Sequence, residues 1–157
     1  MTKTLILMRH GAYDRSTMSL SNLGEQEIIS STKQLIEHKL IPDVIIHSPV
    51  TRAVETTNIV RDIFNTLTGS NIELIEMKEL RENFISNISN ILSQIDDDNS
   101  IVLAVSHLPN ISDLTEQIQV AINNPHTAEA IVYESEVSSW KDIPKNSKLK
   151  QRVKPLL

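Results

Sequence analysis

The chain has no cysteine in its 157 residues, which excludes disulfides, thiol nucleophiles and cysteine-bound zinc or iron–sulfur centres and leaves the redox compartment open. Aromatic residues make up only 3%, so the core must be built from Ile, Leu and Val, and no stacking platform for nucleic-acid bases is visible. No apolar run reaches membrane-spanning length, and the amino-terminal run is too short for a signal-peptide core. A cytoplasmic location is therefore the default expectation. Repeats, linkers and low-complexity tracts are absent as well. The formal net charge of -5 argues against broad binding to nucleic acid or an anionic membrane. Any anion site must be a local pocket. The length fits a single domain, 1–157, whose core needs no staples, and a monomer is expected.

Short apolar runs alternate with longer segments of helical period, which predicts an α/β protein, a three-layer α/β/α sandwich around a mainly parallel sheet. The first strand is expected at about 4–9. Ser21 is placed to cap a helix reaching about residue 39, with Ile28, Ile29, Leu35 and Ile36 facing inward. Pro42 closes it, and Asp43 to His47 reads as a second buried strand. Ser48-Pro49 has the pattern of an N-cap and first helical position for a helix to about residue 67, before a turn at Gly69. A strand near 72–76, a helix over roughly 85–95 and the loop Asp96-Asp97-Asp98-Asn99 follow. Ile101 to Val105 is a continuous apolar strand leading through Ser106-His107-Leu108-Pro109 into a helix to about residue 122. Asn123-Asn124-Pro125 makes a turn, and further strands are expected at Ala130 to Tyr133 and at about 147–154.

Chemistry concentrates where strands end. Arg9 and His10 follow the first apolar run, with Gly11 expected to let the backbone turn away sharply. Arg52 follows the second strand, and His107 follows Ile101 to Val105. Taken singly, Arg52 reads equally as a solvated helix arginine, His107 as a helix-start residue and His10 as a packing residue. Taken together they occupy equivalent topological positions, because strand ends of a parallel sheet lie along one edge, where open α/β sheets bind ligands. Two arginines and two histidines gathered there, beside helix amino termini, make a compact positive pocket suited to phosphate. His47 reads as a sheet histidine, His126 as an exposed turn residue and His38 as a late helix residue. No metal-ligand spacing emerges from this set.

Arg9-His10-Gly11, Ser48-Pro49-x-x-Arg52-Ala53-x-x-Thr56 and Ser106-His107 resemble the histidine phosphatase superfamily, the phosphoglycerate-mutase-like fold, over nearly the whole chain. Leu20-Ser21-x-x-Gly24 resembles the start of that family's first helix, where Thr is more usual. The small size, the Ser106-His107-Leu108-Pro109 string and the ending Trp140-Lys141-Asp142-Ile143 with Val153-Lys154-Pro155 look most like the SixA-type phosphohistidine phosphatases. The resemblance implies that His10 is a nucleophile that becomes transiently phosphorylated, while Arg9, Arg52 and His107 hold the phosphoryl group. It implies no cofactor and no metal, with the arginines and a protonated His107 supplying the electrostatics. Leu80-Arg81-Glu82 resembles the string that precedes the acid in many relatives, which makes Glu82 a candidate proton donor, although Phe84-Ile85-Ser86 departs from the usual continuation. Glu55 is a weaker candidate, at helical spacing within an amphipathic segment. The implied activity is removal of phosphate from a histidine-phosphotransfer protein or another phosphohistidine protein, in signal transduction. A phosphatase of small phosphoesters and a catalytically silent phosphohistidine-binding module are the alternatives.

Overall fold

A computed structural model describes residues 2–82, 84, 87–118 and 121–157. Six strands, β1 (Thr2–Arg9), β2 (Val44–His47), β3 (Glu73–Glu76), β4 (Ile101–Ser106), β5 (Ala130–Glu136) and β6 (Ser147–Val153), form one sheet in the order β3-β2-β4-β1-β5-β6. The first four run parallel. β5 pairs antiparallel with β1, and β6 antiparallel with β5. Helices α1 (Asn22–Glu37), α2 (Thr51–Thr68), α3 (Ile88–Leu92), α4 (Asn110–Gln117) and α5 (Ile143–Asn146) cover it. The sheet is thus mostly parallel and flanked by helices, as the alternation predicts.

The period-2 geometry of the strands sorts their apolar residues between two cores. Ile6, Met8, Ile45, Leu103 and Val105 face α1 and α2, where Ile28, Leu35, Val60 and Phe64 meet them. Leu5, Leu7, Val44, Ile46, Val102 and Ala104 face the other way, toward Ile91, Ile111, Leu114, Trp140 and Ile143. Because β1 and β4 are buried on both faces, Leu5 to Met8 and Ile101 to Val105 read as unbroken apolar runs. At the rim, β6 leaves Lys148 and Lys150 exposed, charges that discourage a further strand from pairing.

Several local expectations shift. Ser21 does cap α1, its side chain accepting from the Gly24 N–H at 3.0 Å, but the buried face carries Glu27, Ser31 and Thr32 beside Ile28 and Leu35, while Ile29 and Ile36 are only partly buried. α2 begins at Thr51 with Val50 as its N-cap, so Ser48-Pro49 lies before the helix and Ser48 serves a different purpose. The helix expected over 85–95 spans Ile88–Leu92, with positions 85 and 86 outside the described residues. The one expected to reach 122 ends at Gln117, with 119 and 120 likewise outside. Gly11 is needed for close approach rather than for a left-handed turn. A Cβ there would lie 2.7 Å from Ile28 Cδ1 and 2.8 Å from the Gly24 carbonyl, and one on Gly24 would sit 1.9 Å from the Ala12 carbonyl. The two glycines let the segment after β1 pass against α1 in backbone contact.

Candidate active site

β1 delivers Arg9 and His10 to the carboxyl edge of the parallel strands. The His10 N–H donates to the Ser106 carbonyl at 3.2 Å and its own carbonyl accepts from Ala128 at 3.0 Å, so β4 and the loop before β5 grip the residue from both sides. Ala128 is held at φ 59°, a left-handed conformation unusual for a residue with a Cβ, of the kind that concentrates at functional sites. The same loop anchors Arg9, whose Nη1 donates to the Pro125 carbonyl at 2.9 Å. Arg9 Nε is buried without a hydrogen-bond partner among the described residues.

His10 is 3% exposed. Its Nδ1 lies 2.8 Å from the Gly11 carbonyl, an oxygen that can only accept, so Nδ1 carries the proton and Nε2 keeps its lone pair. The Nε N–H of Arg52 points at that lone pair from 3.4 Å. Burial, reinforced by the charges of Arg52 and Arg9, pushes the imidazole pKa down to about 4, against the pull of the Gly11 hydrogen bond. At neutral pH the ring is an uncharged base beside two cations.

Arg52 stands at the start of α2, 4% exposed. Its Cζ lies 4.6 Å from the centre of the Tyr13 ring, a cation–π arrangement, and its Nη2 donates to Glu82 at 2.6 Å. Thr56, one turn along α2, accepts the Gly11 N–H at 3.1 Å and donates to the Arg52 carbonyl at 2.8 Å, which ties the β1 loop to the helix that carries the guanidinium. His107, directly after β4, is 1% exposed, with its ring centre 5.2 Å from that of His10. Its Nε2 is 2.7 Å from the Ser48 hydroxyl, and its Nδ1 is buried without a partner among the described residues. Burial, together with His10, Arg52 and Arg9, pushes its pKa down to about 3. The expectation of a protonated His107 is therefore corrected: desolvation next to two arginines leaves the ring neutral at pH 7.

Glu82 lies at the mouth, its side chain 41% exposed and paired with Arg52. Asn110 Nδ2 holds that loop by donating to the carbonyls of Arg81 at 2.8 Å and Phe84 at 3.1 Å. Arg9, His10, Arg52, His107 and Glu82, from four separate segments, thus meet at one edge. Glu55 has a structural task instead, accepting the Leu20 N–H at 3.0 Å. Of the other histidines, His47 is buried with Nδ1 2.9 Å from the Ser48 carbonyl, and the His126 side chain is 56% exposed.

Three neighbours escape a reading of sequence pattern. Tyr13 packs edge-on to His10 at 5.5 Å. Glu27, 2% exposed, accepts from the Ala12 N–H at 2.9 Å and the Thr127 hydroxyl at 2.8 Å, and its charge supports Arg9. Ser48 reads from sequence as a helix cap. Only Glu27 leaves a signal, an acid one residue before Ile28 on the inward face of α1. Among the described residues, no group of three or more His, Asp or Glu is placed to hold a metal ion, and no helix is long and apolar enough to cross a membrane.

No family model matches the chain. Over 70 residues it is 36% identical to a 2,3-bisphosphoglycerate-dependent phosphoglycerate mutase of Mycobacterium leprae, a stretch covering 39% of this chain and 28% of that protein. Its structure superposes on the protein histidine phosphatase SixA complexed with tungstate at a TM-score of 0.74 and 21% identity, covering 97% of each chain. A candidate phosphohistidine phosphatase SixA from Nakamurella multipartitia gives 0.73 at 20% identity, over 100% of this chain and 98% of that one. The mycobacterial glucosyl-3-phosphoglycerate phosphatase gives 0.66 at 15% identity, over 98% and 100%. The chain therefore has the phosphoglycerate-mutase-like fold of these SixA neighbours.

Proposed function

We propose that this chain is a metal-independent phosphohistidine phosphatase that acts, as a cytoplasmic monomer in signal transduction, on a histidine-phosphotransfer domain or another phosphohistidine protein. The observation that carries the reading is the state of His10. A neutral imidazole, its Nδ1 proton tied to the Gly11 carbonyl and its Nε2 lone pair turned toward Arg52, needs no base to attack at neutral pH. Attack on phosphorus forms a nitrogen–phosphorus bond to Nε2 and breaks the one to the substrate imidazole, which leaves with the bonding pair and takes a proton. Water then attacks the phosphorylated His10, releasing inorganic phosphate and restoring the lone pair. In both steps Arg9, Arg52 and the His107 N–H stabilise the charge on the equatorial phosphoryl oxygens.

The leaving group favours this substrate. Imidazole departs readily near neutral pH, whereas an alkoxide needs a proton during departure. Glu82 supplies the specific observation for a second reading, hydrolysis of small phosphoesters, because its carboxylate already stands at the pocket mouth against Arg52. Neighbouring folds include phosphatases of both a sugar phosphoglycerate and phosphoserine. The test is catalytic efficiency on a phosphorylated histidine-phosphotransfer domain and on a panel of phosphoesters, with wild type and Glu82→Gln side by side. We expect higher efficiency on the protein, and a Glu82→Gln loss larger on phosphoesters, where general acid catalysis contributes about 10²–10⁴-fold. Faster turnover of a phosphoester than of the phosphoprotein would replace the first reading by the second. Absence of turnover on every substrate would leave only a binding role.

A further inference from the structure

We propose that Ser48 is a positioning residue that fixes the tautomer of His107, so that an uncharged imidazole presents its Nδ1 proton to the phosphoryl group. The inference rests on the phosphatase reading for its consequence, but on hydrogen-bond geometry for its substance. The Ser48 side chain is fully buried, and its N–H is tied to the Val105 carbonyl at 3.1 Å, so its place relative to β4 is set by the sheet edge. Its oxygen already accepts the Val50 N–H at 3.3 Å. A hydroxyl has one proton to place, and among the described residues the only acceptor in reach of this one is His107 Nε2, 2.7 Å away. Donation from Ser48 puts the lone pair of His107 on Nε2 and the proton on Nδ1. That Nδ1 is buried without a partner among the described residues, on a ring packed 5.2 Å from the nucleophile.

The two histidines then carry the same tautomer and do opposite work. In His10 the Nδ1 proton is consumed by the Gly11 carbonyl, and the Nε2 lone pair, met only by the long 3.4 Å contact from Arg52 Nε, is left to attack. In His107 the Nε2 lone pair is consumed by Ser48 and the Nδ1 proton is left to donate. A neutral donor has an advantage here. A third cation beside Arg9 and Arg52 would depress the nucleophilicity of His10 further, whereas a neutral N–H stabilises the transferring oxygens without adding charge.

Proton–nitrogen correlation spectra of the imidazole rings in the full chain test this directly, with the His107 signals assigned through His107→Asn. We expect the wild-type ring to be protonated at Nδ1, Ser48→Ala to shift it toward the Nε2 form that free imidazoles prefer, and Ser48→Thr, which keeps the hydroxyl, to restore Nδ1. In turnover, Ser48→Ala should lower kcat about 10–100-fold, as loss of an orienting partner does for metal-bound histidines, with a smaller change in KM and recovery in Ser48→Thr. A wild-type ring protonated at Nε2, or a ring unmoved by Ser48→Ala in a folded protein, overturns the assignment. Failure of the wild type to hydrolyse phosphohistidine while the ring shows Nδ1–H would overturn the functional reading and leave the tautomer assignment standing.

Discussion

The two ends of β1 both bury positive charge, and they handle it in opposite ways. At the start of the strand, Lys3 is fully buried, yet its Nζ donates to the carbonyls of Asp97 at 2.6 Å and Asn99 at 3.0 Å and lies 5.1 Å from the centre of the Trp140 ring. Trp140 closes the cluster by donating its own Nε1–H to Asn99 and its backbone N–H to the Asp97 carboxylate, whose pKa that bond holds below the usual range. At the other end, about 20 Å away by the rise of an extended strand, Arg9 Nε and His107 Nδ1 are left without partners among the described residues, and burial beside the arginines keeps both histidines neutral. Buried charge held by two carbonyls and a ring face is a strut. Buried charge with donors left over is prepared to meet an anion, and the donors left over say where.

That contrast can be broken from either end, and the largest expected effect is at His10. His10→Ala should lower turnover by roughly 10⁴-fold or more, the scale on which loss of a nucleophile acts, while thermal unfolding remains cooperative. Acid-labile phosphate trapped during wild-type turnover should map to His10, and label on any other residue would remove it from the nucleophile role. Arg52→Ala comes next, with a loss of about 10²–10³-fold in kcat and weaker inhibition by tungstate or phosphate. Unchanged kinetics and unchanged anion inhibition would place Arg52 outside the pocket and dissolve the distinction between the two ends.

The third prediction sharpens the electrostatics. His10 and His107 have folded-state pKa values of about 4 and about 3, below the ordinary 6.5. The unfolded chain therefore binds more protons than the folded one as pH falls below 6.5, and stability rises with pH through that window. Each group should remove about 1.4 kcal/mol per pH unit, from pH 6.5 down to its own folded value, where its contribution levels off. Urea unfolding at a series of pH values should show this fall, with a shallower slope in His107→Asn. A slope unchanged by that substitution would mean that His107 is not a buried neutral base.

The smallest effect belongs to the strut. Lys3→Met fills similar volume but leaves carbonyls of Asp97 and Asn99 short of a donor, a loss of about 1–3 kcal/mol, which should lower Tm by several degrees. Turnover of the folded variant should match wild type. A fall in kcat at unchanged Tm would show that the two ends of β1 are coupled.

The apolar runs at Leu5 to Met8, Val44 to Ile46 and Ile101 to Val105 made the strands legible, because parallel strands buried on both faces must be apolar throughout. The polar residues that break off at their ends, Arg9 with His10, Arg52 and His107, were legible for the same reason, since a charged residue beside such a run marks the point where the strand leaves the core. Helix starts were less readable. Ser48-Pro49 has the composition of an amino-terminal cap, yet Ser48 faces a histidine 59 positions away, and no local rule weighs a local acceptor against a distant one. Lys3 was opaque too, because an isolated lysine in a strand reads as solvated until its partners arrive from elsewhere in the chain.

The sequence by itself determined the layering of the protein and which residues reach the carboxyl edge of the parallel strands, since both follow from periodicity and the sheet edge common to those strands. The tertiary structure decided the charge and tautomer of what arrived there. Protonation is set by desolvation and by hydrogen-bond partners, and both come from segments far apart in the chain: the Gly11 carbonyl fixes His10, the Ser48 hydroxyl meets His107, and burial, reinforced by two arginines from different elements, keeps both rings neutral.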